Sequence, residues 1–191
     1  MKTGAGHERS YHFRFTGTRV SVLLVALLLG LSAHADEALL AGKRFRDMGD
    51  GTVTDRETGL VWLRQVDALG TNAWAEATAT CGRLAAETVE GLSDGSTAGD
   101  WRLPNIRELQ SLIAYQFYNP TLSDDTGTGH WTTGAGSSFI NANIFNSLTS
   151  WCWSSSSHPI NTSQAWVVNF YDAQVSYGPK VGLYYVWPVR N

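Results

Sequence analysis

Two amphipathic segments, set between two blocks of strand-forming sequence, limit the folds open to this chain more than any other feature. In the first segment, residues 72–87, apolar side chains recur every three or four positions and line one face of a helix. The second segment begins near Pro104 or Asn105, and Asn105 and Glu108 have the spacing of a capping box. Strands before and after two helices predict an α+β fold.

The two strand blocks differ in character. Residues 44–64 alternate short strand-like segments with turns at residues 49–51 and 56–59. Asp47, Asp50 and Asp55 in this block allow a calcium loop, but the distal Glu is missing, and turn formation is favoured. Near the C-terminus, Trp166, Val168 and Phe170 alternate with other residues, which predicts a strand with one buried face.

A segment rich in Gly, Ser, Thr, Asn and Asp, residues 119–150, separates the second helix from the C-terminal strands. We expect it to be long, mostly irregular and laid over the surface. Ordered loops of this length are more often binding surfaces than accidents of sequence. It contains Asp124 and Asp125 and no Lys or Arg.

The N-terminus has the order of a secretory signal peptide: basic residues, an apolar run over residues 20–31, then the small-x-small site Ala33-His34-Ala35. We predict a signal peptide over residues 1–35, a short tail over 36–43 and a single domain over 44–191. An uncleaved anchor is the alternative, but the run is shorter than the roughly 20 residues that span a bilayer. The chain is therefore expected to be secreted, periplasmic or at the cell surface, with no membrane insertion after cleavage.

Cleavage would make the chain more acidic. It removes four basic residues and Glu8, which leaves 10 Lys and Arg against 16 Asp and Glu, a net charge of −6. There is no run of Lys or Arg, which argues against nucleic acid and strongly anionic surfaces as partners. All eight Trp lie beyond residue 61, so an aromatic core can replace long aliphatic runs.

The two cysteines, Cys81 and Cys152, both follow the predicted cleavage site. An even pair in an exported chain predicts one disulfide, and free or metal-binding thiols are the alternative. Arg102 and Glu108 invite a catalytic interpretation, but the segment shows no recognisable pairing of them with a nucleophile or a second acid. We interpret the two as an ion pair that acts as a structural brace between a loop and the second helix.

Several segments together resemble the Lcl C-terminal domain family, which is named for the C-terminal domain of a Legionella collagen-like adhesin. They are "FRDMGDGTVTDRETGLVW", a Trp- and Cys-bearing helix, "DWRLPNIRELQSL", "WCWSSS", "AWVVNF" and the terminal "VWPVRN". The resemblance covers about residues 44–191. It implies a variant of the C-type lectin-like fold, with two helices, antiparallel strands and a long irregular loop region that carries ligand binding.

Two features depart from what the resemblance implies. Family members often carry a Cys in the last strand, where this chain has Trp187-Pro188-Val189-Arg190. A Cys81–Cys152 bridge would then join the first helix to a central strand. The calcium motifs of lectins are also missing, since Trp166-Val167-Val168-Asn169 is not one of them.

The resemblance favours a non-catalytic, lectin-like binding module for adhesion, which recognises a surface glycan or protein. Carbohydrate rings stack on aromatic side chains, and Asn, Asp and Ser supply hydrogen bonds. The ligand-binding candidates are His130, Trp131, Tyr177, Asp124 and Asp125. No cofactor or metal is expected. The alternatives are a structural component of the envelope or of a surface appendage, and a cysteine-dependent enzyme related to formylglycine-generating enzymes.

Overall fold

The computed structural model describes residues 42–132, 137–139 and 150–191, all within one compact unit, Gly42–Asn191. The described part has nine strands and two helices: β1 (Phe45–Asp47), β2 (Thr52–Asp55), β3 (Val61–Leu63), β4 (Thr71–Asn72), α1 (Trp74–Arg83), α2 (Ile106–Ser111), β5 (Trp151–Ser157), β6 (Gln164–Asn169), β7 (Val175–Pro179), β8 (Tyr184–Tyr185) and β9 (Val189–Arg190). The predicted α+β class is confirmed.

The strands form two sheets. The first has the order β1-β2-β3-β9 and is antiparallel throughout, so the last strand of the chain closes a sheet begun by the first. The second has the order β4-β8-β5-β6-β7. Its pairs are antiparallel except β5 and β8, which run parallel. The two short turns predicted between the first three strands are confirmed.

The main core is aromatic, as the distribution of Trp predicts. Trp62, Trp101 and Trp187 are completely buried in it. The Trp187 ring lies 5.1 Å from that of Trp62 and 5.6 Å from that of Phe170, both in tilted or edge-on contact. Such contacts add about 0.5–1.5 kcal/mol each beyond the area buried.

A second cluster lies on the opposite face of the second sheet. In the register of β5 and β6, Cys152 is opposite Val168 and Trp153 is opposite Val167. Because neighbouring side chains on a strand point to opposite faces, Cys152 and Val168 enter the main core, whereas Trp153 and Val167 enter the second cluster. The prediction that this strand has a single buried face is therefore wrong: β6 is covered on both sides.

This geometry corrects the predicted disulfide. Cys81 packs from α1 into the second cluster, and Cys152 points into the main core, so the backbone of the sheet lies between the two side chains. Both cysteines are free and buried in the structure. Burial raises the pKa of Cys81 to about 12 and raises that of Cys152 further.

The helices follow their sequence signals at the start and depart from them at the end. Asn105 caps α2, and its side chain and that of Glu108 form the predicted capping box. Helix α1 ends at Arg83 rather than near Glu87. Leu84 leaves the helix in an extended conformation and enters the main core, whereas Ala77 and Cys81 remain in the second cluster. Ending the helix there lets one segment fill both cores.

Candidate functional site

Arg102 and Glu108 form a two-pronged ion pair at the start of α2. Arg102 Nη1 donates to Glu108 Oε2 over 2.7 Å, and Nη2 donates to Oε1 over 2.8 Å. Glu108 Oε2 also accepts the backbone N–H of Asn105 at 2.7 Å. The backbone of Arg102 exchanges two hydrogen bonds with Val189 of β9, and its side chain donates to Asn191. The pair thus joins the helix to the last strand.

The electrostatics of this pair fit a structural contact. Partial burial acts to raise the pKa of Glu108, but the hydrogen bonds from Arg102 and Asn105 outweigh it and lower the pKa. The hydrogen bond with Glu108 raises the pKa of Arg102 in turn. Both side chains therefore stay ionised at neutral pH, and each is occupied by the other. A group held in this way is poorly placed to exchange protons with a substrate.

Two of the predicted ligand-binding residues are buried. Trp131 is 4% exposed and belongs to the main core. Asp125 is also buried; it accepts the N–H of Ser138, lies 3.6 Å from Lys43 Nζ, and its carbonyl accepts the N–H of Phe45. Burial raises the pKa of Asp125, against the lowering effect of Ser138 and Lys43. Neither side chain is placed to meet a ligand.

Asp124 closes a tight loop. Its Oδ1 accepts the hydroxyl of Thr126 at 2.6 Å and the backbone N–H of Gly129 at 3.1 Å. Partial burial acts to raise the pKa of Asp124, but these hydrogen bonds lower it overall. Asp124 thus shapes the described part of the 119–150 segment. Residues 133–136 and 140–149 of that segment lie outside the described residues.

His130 stands at the edge of an aromatic surface. Its ring stacks on Phe117 at 4.9 Å, and its Nε2 lies 2.7 Å from the carbonyl oxygen of Pro120. Next to it, a hairpin over residues 113–122 follows α2: the N–H of Ala114 donates to Thr121, and Ile113 bridges Leu122. The hairpin is fixed to the end of β6, because the N–H of Asn119 donates to the Tyr171 carbonyl.

Three tyrosines, Tyr115, Tyr118 and Tyr171, define what we call the tyrosine surface. Tyr115 is 72% exposed and Tyr118 is 61% exposed. The rings of Tyr118 and Tyr171 meet edge to face, with centroids 5.1 Å apart. The hydrogen bond between their side chains, and to a smaller extent the charge of Asp172, raises the pKa of Tyr118. Each ring therefore fixes the orientation of the other.

Polar side chains suited to hydrogen bonding accompany these rings. Gln116 and Asn119 are exposed in the same hairpin, and the partly exposed Asp172 follows Tyr171. This surface was not among the sites predicted from the sequence. The sequence nevertheless contains a signal for it. Three aromatic residues fall within positions 115–118, directly before an Asn-Pro step where a helix is not expected to continue, so these rings are not expected to belong to the apolar face of a helix.

Tyr177 lies on a different part of the molecule. It faces Trp166 across the β6–β7 pair, and its ring lies 4.7 Å from that of His158 and 5.9 Å from that of Trp166. Trp166 is three residues, roughly 10 Å, from the end of β6 at Asn169, and Tyr171 lies in the turn beyond that end. The predicted candidates His130 and Tyr177 are thus divided between the two ends of one strand and do not form one site.

Other chemical features of the described residues are modest. No group of three or more His, Cys, Asp and Glu in this part of the chain is placed to hold a metal ion. A cleft of about 310 Å³ is lined by Gly51, Leu63, Arg64 and the 89–92 loop. Arg64 there is already paired with Asp47 at 2.8 Å and donates to the Ser138 carbonyl. The positive charge of the cleft is therefore already engaged, and its other charged side chain is the exposed carboxylate of Glu90.

Comparison with known proteins identifies a family. The family model of the Lcl C-terminal domain matches residues 51–190. None of the curated proteins compared with the chain matches it. Among the described residues, no helix is both long enough and apolar enough to cross a membrane.

Proposed function

The chain belongs to the Lcl C-terminal domain family, and we propose that it is an exported, non-catalytic binding module whose tyrosine surface recognises a neutral glycan. The observation that carries this proposal is the pair Tyr118 and Tyr171: two rings fixed against each other at the surface, with one of them 61% exposed. Aromatic faces of this kind stack on the apolar faces of sugar rings.

Preorganisation supports a ligand site at this place. A ring already held by its neighbour loses little rotational freedom when a sugar stacks on it, so more of the contact energy appears as affinity. Gln116, Asn119 and Asp172 surround the rings with amide and carboxylate groups. These can hydrogen-bond to sugar hydroxyls, whose number and direction decide which sugar fits.

The local charge favours an uncharged ligand. Segments 113–132 and 169–175 contain no Lys or Arg. Their acidic residues are Asp124, Asp125 and Asp172, of which Asp125 pairs with Lys43 and the other two have no ion-pair partner in the structure. Sulfated or otherwise anionic polysaccharides bind through several basic contacts and counterion release. A surface with this composition would repel them, which favours neutral sugars.

A glycan-binding screen on the exported protein tests the proposal, followed by titration of the best neutral ligand. Tyr118→Ala should weaken binding about 30-fold, the change expected for the loss of a contact worth roughly 2 kcal/mol. Tyr118→Phe keeps the ring and removes the hydroxyl, so it should weaken binding only a few-fold. Tyr177→Ala removes an exposed ring from the other end of β6 and should leave the affinity unchanged.

Two results would contradict the proposal. One is a screen in which no neutral glycan binds. The other is equal loss of affinity in Tyr118→Ala and Tyr177→Ala, because the ligand would then not distinguish the two surfaces. Binding to a protein with the same dependence on Tyr118 would keep the surface and replace the ligand class.

The alternative of a cysteine-dependent enzyme loses its structural basis. A reactive thiolate needs access and a low pKa. Cys81 and Cys152 are buried on opposite faces of a sheet, and burial raises the pKa of both.

Export remains part of the proposal. We infer that residues 1–35 are removed and that the mature chain begins at Asp36, as the Ala33-His34-Ala35 site predicts. Mass spectrometry of protein recovered from the export compartment measures this directly. A mass that includes Met1 would refute the cleavage.

A further inference from the structure

Three aliphatic side chains protrude into solvent at the end of the second sheet opposite to the tyrosine surface. Ile160 is 91% exposed, Val181 is 85% exposed and Leu183 is 67% exposed. Single exposed aliphatic residues are common, but exposure of two-thirds or more in three such residues on two joined loops is not explained by the packing of the fold. We call these three residues the apolar tips.

The two loops that carry the tips are joined to each other. Residues 158–163 connect β5 to β6, and residues 180–183 connect β7 to β8. The backbone N–H of Lys180 donates to the Ser163 carbonyl at 2.9 Å, and its Nζ donates to Ser157 at 2.7 Å. The N–H of Gly182 donates to the Pro179 carbonyl and closes a turn over residues 179–182, which contains Val181 and directly precedes Leu183. The tips therefore project from one supported platform.

The surroundings of the tips are aromatic and cationic. Lys180 Nζ lies 3.9 Å from the centre of the Trp74 ring. Behind the tips, the half-exposed Tyr177 packs with Trp166 and His158, about 10 Å further along the strands. Segments 158–163 and 179–183 contain one Lys and no Asp or Glu, in a chain whose predicted mature form carries net charge −6.

From this arrangement we propose that the apolar tips dock the domain on a lipid bilayer, with the three aliphatic side chains entering the headgroup–acyl boundary. Exposed aliphatic residues in front, aromatic rings at headgroup depth and a nearby cation are the chemistry of interfacial membrane binding. This is contact by loop tips and differs from a membrane-spanning segment. It departs from the sequence-based expectation that no part of the mature chain enters a membrane.

The shape of the tips favours lipid over a protein partner. A stable protein interface needs about 20–30 residues per side with matched shape. Two short loops with separated, protruding side chains offer much less, whereas a bilayer deforms around them. The lone Lys180 and the missing acids suit an anionic leaflet, where each basic residue adds to the attraction.

Vesicle co-sedimentation tests the proposal with the exported protein, whatever N-terminus it carries. The vesicles contain either phosphatidylcholine alone or phosphatidylcholine with one third phosphatidylglycerol. The triple variant Ile160→Ser, Val181→Ser, Leu183→Ser should lower partitioning about 1,000-fold, since each of the three aliphatic side chains kept in water costs about a factor of ten. Met48→Ser, which alters an exposed apolar residue elsewhere, should leave partitioning unchanged.

Lys180→Gln should weaken binding about fivefold, and only to the anionic vesicles.

Circular dichroism and thermal unfolding establish that the triple variant is folded. Ile160→Trp gives an independent test, because a larger interfacial side chain should strengthen partitioning. The proposal is overturned if the wild-type protein does not bind vesicles, or if the triple variant binds as well as the wild type. It is also overturned if sedimentation equilibrium shows that the triple substitution dissociates an oligomer, since the tips would then bind a second copy. The result does not depend on glycan binding at the tyrosine surface.

Discussion

The two ends of β6 both present aromatic side chains to solvent, yet their neighbours differ in chemistry. Tyr118 and Tyr171 at one end stand among amide and carboxylate groups, whereas Trp166 and Tyr177 at the other stand behind three aliphatic tips and a lysine. The same class of side chain therefore serves two different surfaces. The polar or apolar groups around a ring, rather than the ring itself, decide which ligand it meets.

A further difference lies in how each end is supported. The tyrosine surface rests on a hairpin whose backbone is fixed to the end of β6 by the N–H groups of Asn119 and Thr121. The apolar tips rest on loops fixed to each other through Lys180 and Ser163, and fixed to the start of α1 because the N–H of Trp74 donates to the Lys180 carbonyl. Recognition of a sugar requires rings and hydrogen-bonding groups at fixed positions. Contact of aliphatic side chains with lipid does not require such fixed positions.

The largest expected effect separates buried aromatic residues from exposed ones. Trp131 lies one residue from His130 but belongs to the main core. Trp131→Ala should reduce the free energy of unfolding by about 3–5 kcal/mol. Tyr115→Ala removes an exposed ring from the 113–122 hairpin and should change the free energy of unfolding by no more than about 0.5 kcal/mol. Chemical denaturation measures both. If Trp131→Ala kept full stability and lost glycan binding, the ligand site would extend into what we describe as core.

An intermediate effect is expected at the brace, which touches neither surface. Arg102→Ala should reduce the free energy of unfolding by about 1–2 kcal/mol, less than for a fully buried pair because the Arg102 side chain is 41% exposed. Glycan and vesicle binding should both persist at temperatures where the variant is folded. A variant with wild-type stability and no binding at either end would show that Arg102 is a ligand-binding residue.

The matching variant Glu108→Gln gives the pH dependence. The folded-state pKa of Glu108 is lowered, so its contribution to stability is present above its ordinary pKa of 4.5 and is lost as the pH falls through the folded-state value. The stability difference between wild type and Glu108→Gln should therefore shrink below about pH 4.5. A difference that stays constant from neutral pH to acid would mean that the ion pair contributes nothing.

Much of the fold follows from local sequence signals. The capping box at Asn105, the turns after β1 and β2 and the mixed class all depend on residues close together in the chain. The second buried face of β6 did not follow, because Ala165 and Val167 add little to the pattern set by Trp166, Val168 and Phe170. The disulfide prediction failed because the local sequence does not show on which face of the sheet each cysteine lies. Only the register of the sheet reveals which face Cys152 occupies.

The site was harder to predict, because burial decides it. Trp131 and Asp125 lie in a polar, loop-like segment. Nothing in that segment shows that Trp131 packs into the main core or that Asp125 pairs with Lys43. The tyrosine surface joins residues 115–118 to Tyr171 across about fifty positions of sequence, through backbone hydrogen bonds at the end of β6. Proximity of that kind is a property of the topology, and no local pattern contains it.

The smallest expected effect is the response to salt, and it distinguishes the two ends most directly. Lys43 neutralises Asp125 although it is distant in sequence, so the acidity of the 119–150 region is weaker than its composition implies. Near the tyrosine surface, however, the charged side chains of segments 113–132 and 169–175 that have no ion-pair partner are Asp124 and Asp172. These segments contain no Lys or Arg to bind an anionic ligand. Between low and physiological salt, affinity for a neutral glycan should change less than about twofold. Binding of the apolar tips to anionic vesicles should fall about fivefold, the contribution of one lysine, and binding to phosphatidylcholine should not change. Tight binding to heparin that collapses over the same range would reverse this assignment, because it would require several basic residues to meet at one surface.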